Sequence, residues 1–470
     1  MTKEQRAVLA IAILASFVAF LDGSVINVAL PAISKDLGGG LSTQQWVVDA
    51  YLITLGSLIL LAGSLSDVLG HIVIIRIGLI AFGVTSVLCA LSPNPEFMIV
   101  SRALQGVAGA LLVPSSLALI TSNFDGKARA GAIGQWTAWT TVSFIAGPLL
   151  GGLFVDYLNW RFVFLINVLP IAVTLWLLFR LHHKDIREKG VTIDYLGAVL
   201  CVIGLGGPVF ALIEQANFGF GSPIIYLPLI IGLISFAAFL WRQKVTPMPL
   251  MPLSLFTVRN FAVGNIATTL IYAALSLGGF ILVVYLQQVA GLPATLAALT
   301  TLPMTILNIT LSSVFGRLAG KYGPRLFMAV GPILGGAGYL LMLSIRPDFN
   351  YWTQLLPGVI LFGLGLSITV APLTAAILGA ISEKQSGIGS AVNNAVSRVA
   401  GLVAVALIGL IIGETMDLAG FQRGLVVTAA LLIAGGIVSA IGIQNPRQQK
   451  TAAAGPAAAQ PAPTAPAQER

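Results

Sequence analysis

Apolar residues run along this chain in stretches far longer than the alternating faces of a soluble core. Between charged or Gly/Pro-rich breaks there are fourteen such runs, near 7–30, 45–66, 72–92, 97–121, 129–155, 161–181, 193–213, 222–242, 258–287, 295–317, 324–345, 351–374, 386–412 and 424–443. Each is close to the roughly 20 residues that a helix needs to cross the hydrocarbon of a bilayer. Backbone groups in lipid must be satisfied internally, so helices are the expected spanning element. The pattern predicts an all-α polytopic membrane protein with fourteen transmembrane helices.

Composition agrees. Of 470 residues, 57% are hydrophobic and 9% are charged, whereas a soluble domain carries about 25% charge. A soluble enzyme, a disordered chain and a fibrous protein are all excluded, because a soluble fold cannot bury so large an apolar share. The net charge of +8 would suggest nucleic acid in a soluble protein. Here it follows from sidedness, since inner-membrane proteins gather Lys and Arg in their cytoplasmic loops. Nineteen of the 25 basic residues fall on one side of the predicted spans, and Lys35, Arg161, Arg346 and Arg423 on the other. Arg102 and Arg398 lie within spans. The expected location is the inner (plasma) membrane, with both termini cytoplasmic and no nucleic-acid partner.

Cys89 and Cys201 sit inside apolar runs and read as packing residues. His71, His182 and His183 show no ligand-like spacing, so no metal site is expected. The start superficially resembles a signal peptide, but Asp22, Pro31 and the lack of a small-residue cleavage site favour a retained first span. No GxxxxGK[ST] phosphate-binding loop is present, which argues against direct drive by ATP.

The chain also repeats itself. Gly63 and Gly70 recur as Gly316 and Gly323 at an offset of 253, and Pro114 and Gly131 recur as Pro372 and Gly389 at an offset of 258. Eight predicted spans separate the two glycine loops, so both copies face the same way, as in a parallel duplication. The organisation expected is a six-helix bundle over 1–185, a linker with two inserted helices over 186–250, a second six-helix bundle over 251–445, and a tail over 446–470. The Ala/Pro-rich end, 451–470, has too little to bury for a fold of its own and reads as disordered and dispensable. A duplicated bundle favours a transporter over a receptor, and a non-transporting sensor or scaffold would have no need of intramembrane charges.

Several stretches resemble the major facilitator superfamily, and within it the fourteen-span drug:H⁺ antiporter family. They are LDGSVINVALP at 21–31, the loop carrying Gly63, Asp67 and Gly70, SRALQGVAGA at 101–110 with Arg102, Gln105 and Gly106, AGPLLGG at 146–152 and WRFVFLINVLP at 160–170. The likeness spans 7–443. It implies a proton-coupled secondary exporter of small lipophilic or cationic compounds, working by alternating access and driven by the proton-motive force without a cofactor. A dedicated exporter of one metabolite or antibiotic is the alternative. A monomer is expected. The loop after span 2 departs from the family pattern, with Val68, His71 and Ile72 where basic residues are usual. Span 13 keeps Arg398 and Gly401 of an NxxRxxG stretch found in relatives.

Chemistry narrows the candidates. Asp22 and Asp49 are the carboxylates placed well inside spans, where an ionised Asp costs about 2.5–3.5 kcal/mol. A buried carboxyl that titrates is what a proton-coupled exporter requires, and a helix-break or packing role satisfied by Asn27 or a backbone group is the competing reading of Asp22. Asp49 lies nearer a span start, where solvation or a helix-dipole role competes. A buried guanidinium at Arg102 needs an anion, and either carboxylate would serve. Asp22→Asn is accordingly expected to insert normally yet uncouple export. Arg398 reads equally as relay or packing anchor. Gly147, Gly151 and Gly152 put small residues one turn apart for close helix approach, and Pro148 removes one hydrogen bond and introduces a kink. Trp136, Trp139, Gln135 and Asn27 are candidate cavity residues, the tryptophans through cation–π contact or as interfacial anchors.

Overall fold

The computed structural model describes residues 1–181, 193–382, 385–413 and 415–445. Most of the linker and all of the Ala/Pro-rich tail lie outside the described residues. Among these residues fourteen helices are long and apolar enough to cross a membrane. They are numbered here as spans 1 to 14. The first seven are Lys3–Leu37, Gly40–Leu69, His71–Ala90, Pro95–Asn123, Gly131–Tyr157, Phe162–Arg180 and Tyr195–Phe218. The rest are Pro223–Val245, Arg259–Gln288, Ala294–Tyr322, Pro324–Ser344, Tyr351–Leu378, Ser386–Ala406 and Leu418–Gly442.

Local chemistry sets the ends. Thr2 and Gln5 form a capping box at the start of span 1, which satisfies two of the backbone donors a helix start leaves open. Asn94 accepts from the Phe97 N–H, with Pro95 in the first turn of span 4. Gly70 and Gly323 take φ of 104° and 88° at the matching turns of the two halves. That region is open to glycine and strained for other residues, so the sequence repeat reflects one turn built twice.

Span 14 starts six residues before its expected position. Asp417 caps it, accepting from the Gly420 N–H at 2.6 Å. Arg423, expected in a loop, is therefore inside the helix. Its guanidinium donates to the Ile411 and Ile412 carbonyls at 3.0 and 2.7 Å, closing the end of the preceding helical segment. Span 6 is interrupted between Phe162–Leu165 and Val168–Arg180, with Asn167 at the break.

Spans 1 to 6 pack around one apolar core that includes Ile11, Val18, Leu79, Phe82, Leu112 and Ile120. Spans 9 to 14 pack around another that includes Phe261, Ile271, Phe280, Leu373, Phe421 and Leu425. Spans 7 and 8 lie against each other through Gly204, Gly207 and Gly232, where a Cβ on Gly204 would stand 2.9 Å from Phe236 Cα. Leu205 and Val209 of span 7 join Ile53 of span 2 and Leu402 of span 13 in a small cluster.

The halves meet at the end away from the described termini. There Gln287 donates to the Val28 carbonyl at 3.0 Å, and Gln45 donates to the Val405 and Ala406 carbonyls at 2.7 and 3.2 Å. Asp156 accepts the N–H groups of Ala294 and Thr295 at 2.9 and 2.8 Å, acting across the halves as a helix cap. Toward the other end burial thins: over Leu302–Tyr322 of span 10 only Ala319 is buried, and no side-chain hydrogen bond joins the two halves there among the described residues.

Candidate functional site

Asp22 and Arg102 meet. Arg102 Nη1 donates to Asp22 Oδ2 at 2.6 Å, and both side chains are 1% exposed. The pair is held by a polar shell. Arg102 Nη1 also reaches Gln105 Oε1 at 2.6 Å, and its Nε donates to the Val47 carbonyl at 2.8 Å. Asp22 Oδ1 accepts from Gln105 Nε2 at 3.0 Å and from Asn167 Nδ2 at 2.9 Å. Ser86 Oγ receives Gln105 Nε2 at 2.9 Å and Asn167 Nδ2 at 3.3 Å. The Tyr51 ring lies 4.4 Å from the guanidinium carbon and closes one side.

Spans 1, 3, 4 and 6 thus converge on one carboxylate, with span 2 contributing a carbonyl and a ring. Asn27 makes none of these bonds, so the packing partner expected for Asp22 is replaced by Arg102, Gln105 and Asn167. Close approach depends on Gly106, whose Cβ would run into the Tyr51 carbonyl of span 2. Ser86 carried no signal in the sequence beyond being polar, and Asn167 lay inside the WRFVFLINVLP stretch without being singled out.

Asp49 is different. It is fully buried, which removes the solvated position its place in span 2 suggested. It is not Arg102's partner, and neither carboxyl oxygen has a hydrogen-bond partner. Positions 45, 49, 52 and 56 share one helix face. On that face Gln45 bonds to span 13, and a Cβ on Gly56 would stand 3.5 Å from Arg398 Cβ. Asp49 therefore sits in the seam between the halves.

The small residues of span 5 divide their work. Cβ atoms on Gly147 and Gly151 would stand 3.0 Å from the Val25 nitrogen and 2.9 Å from the Val25 carbonyl oxygen, both on span 1. On Gly152 it would stand 2.6 Å from Thr295 Cα, across the seam. Pro148 is accommodated inside one continuous helix. The Gly63, Asp67 and Gly70 turn lies at the open end, and a Cβ on Gly63 would meet nothing within 4 Å.

Trp136 and Trp139 do not share an environment. Trp136 donates to Ser16 Oγ at 3.0 Å and meets Phe20 edge-on at 6.4 Å. Trp139 is 57% exposed, and Gln135 is exposed beside it. Arg398 is half-buried, with its guanidinium carbon 5.8 Å from the Phe20 ring centre. In the second half Asn393 of span 13 donates to Asn265 and Thr268 of span 9 at 3.1 and 2.9 Å. Among the described residues no group of three His, Cys, Asp or Glu could hold a metal.

A sequence model described as Major Facilitator Superfamily matches residues 12–405 and 265–467. The chain belongs to that superfamily. Among its relatives is the methylenomycin A resistance protein of Bacillus subtilis (strain 168), 34% identical over 86% of this chain and 87% of that one. The puromycin resistance protein pur8 of Streptomyces alboniger is 31% identical over 86% and 81% of the two chains. The multidrug efflux pump LfrA of Mycolicibacterium smegmatis (strain ATCC 700084 / mc(2)155) is 32% identical over 86% and 81%. As a superfamily member the chain is a multi-pass membrane transporter; of these relatives two are resistance proteins and LfrA is an efflux pump. In fold it is similar to a bacterial homolog of the human lysosomal transporter Spinster, in an inward-facing and unoccupied conformation. That likeness has a TM-score of 0.67 at 15% identity, over 94% of this chain and 97% of the other. A peptide transporter POT in complex with sulfate also scores 0.67 at 15% identity, over 93% and 94% of the two chains.

Proposed function

We propose that this superfamily member is a proton-coupled exporter of small lipophilic compounds, with the Asp22–Arg102 cluster as its coupling centre. The observation that carries the reading is the hydrogen-bond shell around one buried ion pair. A carboxylate compensated by a guanidinium is stable when ionised. Once protonated, it no longer compensates Arg102, which must then find another anion or move. Proton binding is thereby tied to a rearrangement of spans 1 and 4. The proton-motive force is the energy source in this account, and the functional unit is a monomer in the cell membrane.

Nineteen basic residues on the side of the termini support a cytoplasmic placement of both. The open end then faces the cytoplasm, and the seam held by Gln45, Gln287 and Asp156 is the outer gate in its closed state. Substrate enters from the cytoplasmic side, and the halves rock about the midplane to release it outside. The test is uptake into inverted proteoliposomes holding an acidic lumen, across a panel of puromycin, ethidium and 1-naphthoate. Accumulation that collapses with nigericin is expected for at least one compound. Accumulation indifferent to the pH gradient would overturn proton coupling.

A further inference from the structure

At the middle of the bundle one guanidinium is left over. Asp22 and Arg102 compensate each other, and Asp49 makes no bond to any group. Arg398, midway along span 13, makes no hydrogen bond or ion pair with any described residue. Its contacts are electrostatic and aromatic: it lies over Phe20 of span 1 and within electrostatic reach of Tyr51 of span 2 and Tyr272 of span 9. These four residues come from both halves and from the central turns of their spans. An uncompensated guanidinium at that depth is expensive in a bilayer protein and is tolerated beside a wet cavity or a bound anion. Arg398 is half-buried, so the group remains reachable.

We propose that Arg398 is the substrate-anchoring group of this exporter, and that the compounds it takes are amphipathic organic anions. The carboxylate or other acidic group docks on the planar guanidinium, which suits bidentate recognition of carboxylates. The lipophilic body lies against Phe20 and Tyr272. Phe20 is itself braced by Trp136 at 6.4 Å and Phe144 at 5.8 Å, which makes that wall rigid. The charge sits at the interface of the two repeats near the midplane, where substrates of duplicated transporters bind. This inference rests on the export reading and narrows its substrate class.

The experiment uses the full chain in detergent with no gradient, so that its failure is separate from failure of proton coupling. Tryptophan quenching is titrated with three matched probes: 1-naphthoate, its methyl ester and 1-naphthylmethylammonium. In the wild type the naphthoate should bind about tenfold or more tightly than the ester, and the ammonium most weakly. Arg398→Gln should weaken naphthoate by about ten- to a hundredfold, the range of a charge-assisted bond, and leave the ester unchanged. Arg398→Lys keeps the charge without the planar fork and should fall between the two. Three results would overturn the proposal: the cation binding as tightly as the anion, the two variants weakening all probes alike, or no probe binding the wild type.

Discussion

Replacing Asp22 by asparagine removes one negative charge and one acceptor from the centre of the polar cluster, and the structure shows what each loss does. Arg102 stays buried with its charge uncompensated. Breaking such a pair by removing one partner costs about 3–5 kcal/mol, and an uncompensated arginine at a helix centre costs about 2.5–3.5 kcal/mol on insertion scales. The amide adds a second conflict. If its oxygen keeps the bond to Arg102, its NH₂ faces Gln105 Nε2 and Asn167 Nδ2, both of them donors. Asn167 can turn over, because its Oδ1 has no partner. Gln105 cannot, since turning would set its NH₂ against the guanidinium that its Oε1 now receives. The substitution that seemed harmless from the sequence is therefore expected to destabilise by about 3 kcal/mol or more. The assay is reversible unfolding in mixed SDS–detergent micelles of wild type, Asp22→Asn, Arg102→Gln and the double variant. The double variant should recover much of the loss, with a coupling of about 1–3 kcal/mol. An Asp22→Asn protein within about 0.5 kcal/mol of wild type, or fully additive effects, would refute the reasoning.

Asp49→Leu should be neutral or stabilising in the same unfolding assay, since both oxygens it removes are buried and unpartnered; a loss above about 2 kcal/mol would reveal a missing partner. Asp156→Asn leaves one of two backbone N–H groups across the seam without its acceptor. It should favour opening of that end about fivefold, the effect of a weakened cap, read as faster maleimide labelling of a cysteine at the buried Val28; an unchanged rate would contradict the gate. Asp194 joins spans 7 and 8 by accepting from Gly197, Arg242 and Gln243 at 2.9, 2.6 and 3.2 Å. Burial alone would raise its carboxyl pKa, but these bonds hold it below the ordinary range. The stability it adds is complete above about pH 3.9, the unfolded value, and disappears as pH falls through the lowered folded value. The difference in thermal midpoint between wild type and Asp194→Asn should accordingly shrink from neutral pH toward pH 3. Cysteines placed at 349 and 418 should label from outside intact cells, and one at 186 only after permeabilisation.

The spans were legible because lipid demands uninterrupted apolar runs, and the duplicated turn was legible because Gly70 and Gly323 need a backbone that other residues resist. Asp22 and Arg102 stood out for the same physical reason, as charges in hydrocarbon. Their shell did not. Ser86 is one small polar residue among many, and Asn167, though inside the WRFVFLINVLP stretch, is set at Asp22 by the break in span 6. The seam was equally hidden, since Gln45 and Asp156 act on backbone groups of the other half, more than a hundred residues away. Asp49 looked like a helix-start residue by position, but span 2 begins at Gly40, which sets Asp49 about three turns in and fully buried. The glycine stripe of span 5 was read as one surface, whereas Gly152 faces a different half from Gly147 and Gly151.

The coupling proposed for this exporter exchanges protons for substrate through the Asp22–Arg102 cluster. It is tested most directly by pyranine trapped in proteoliposomes holding a pH gradient, with wild type and Asp22→Asn at matched folded amounts. Adding a transported compound should dissipate the gradient in the wild type. In the Asp22→Asn protein the gradient should persist, while downhill exchange of the compound should be retained. An Asp22→Asn protein that still dissipates the gradient on substrate addition would contradict the account.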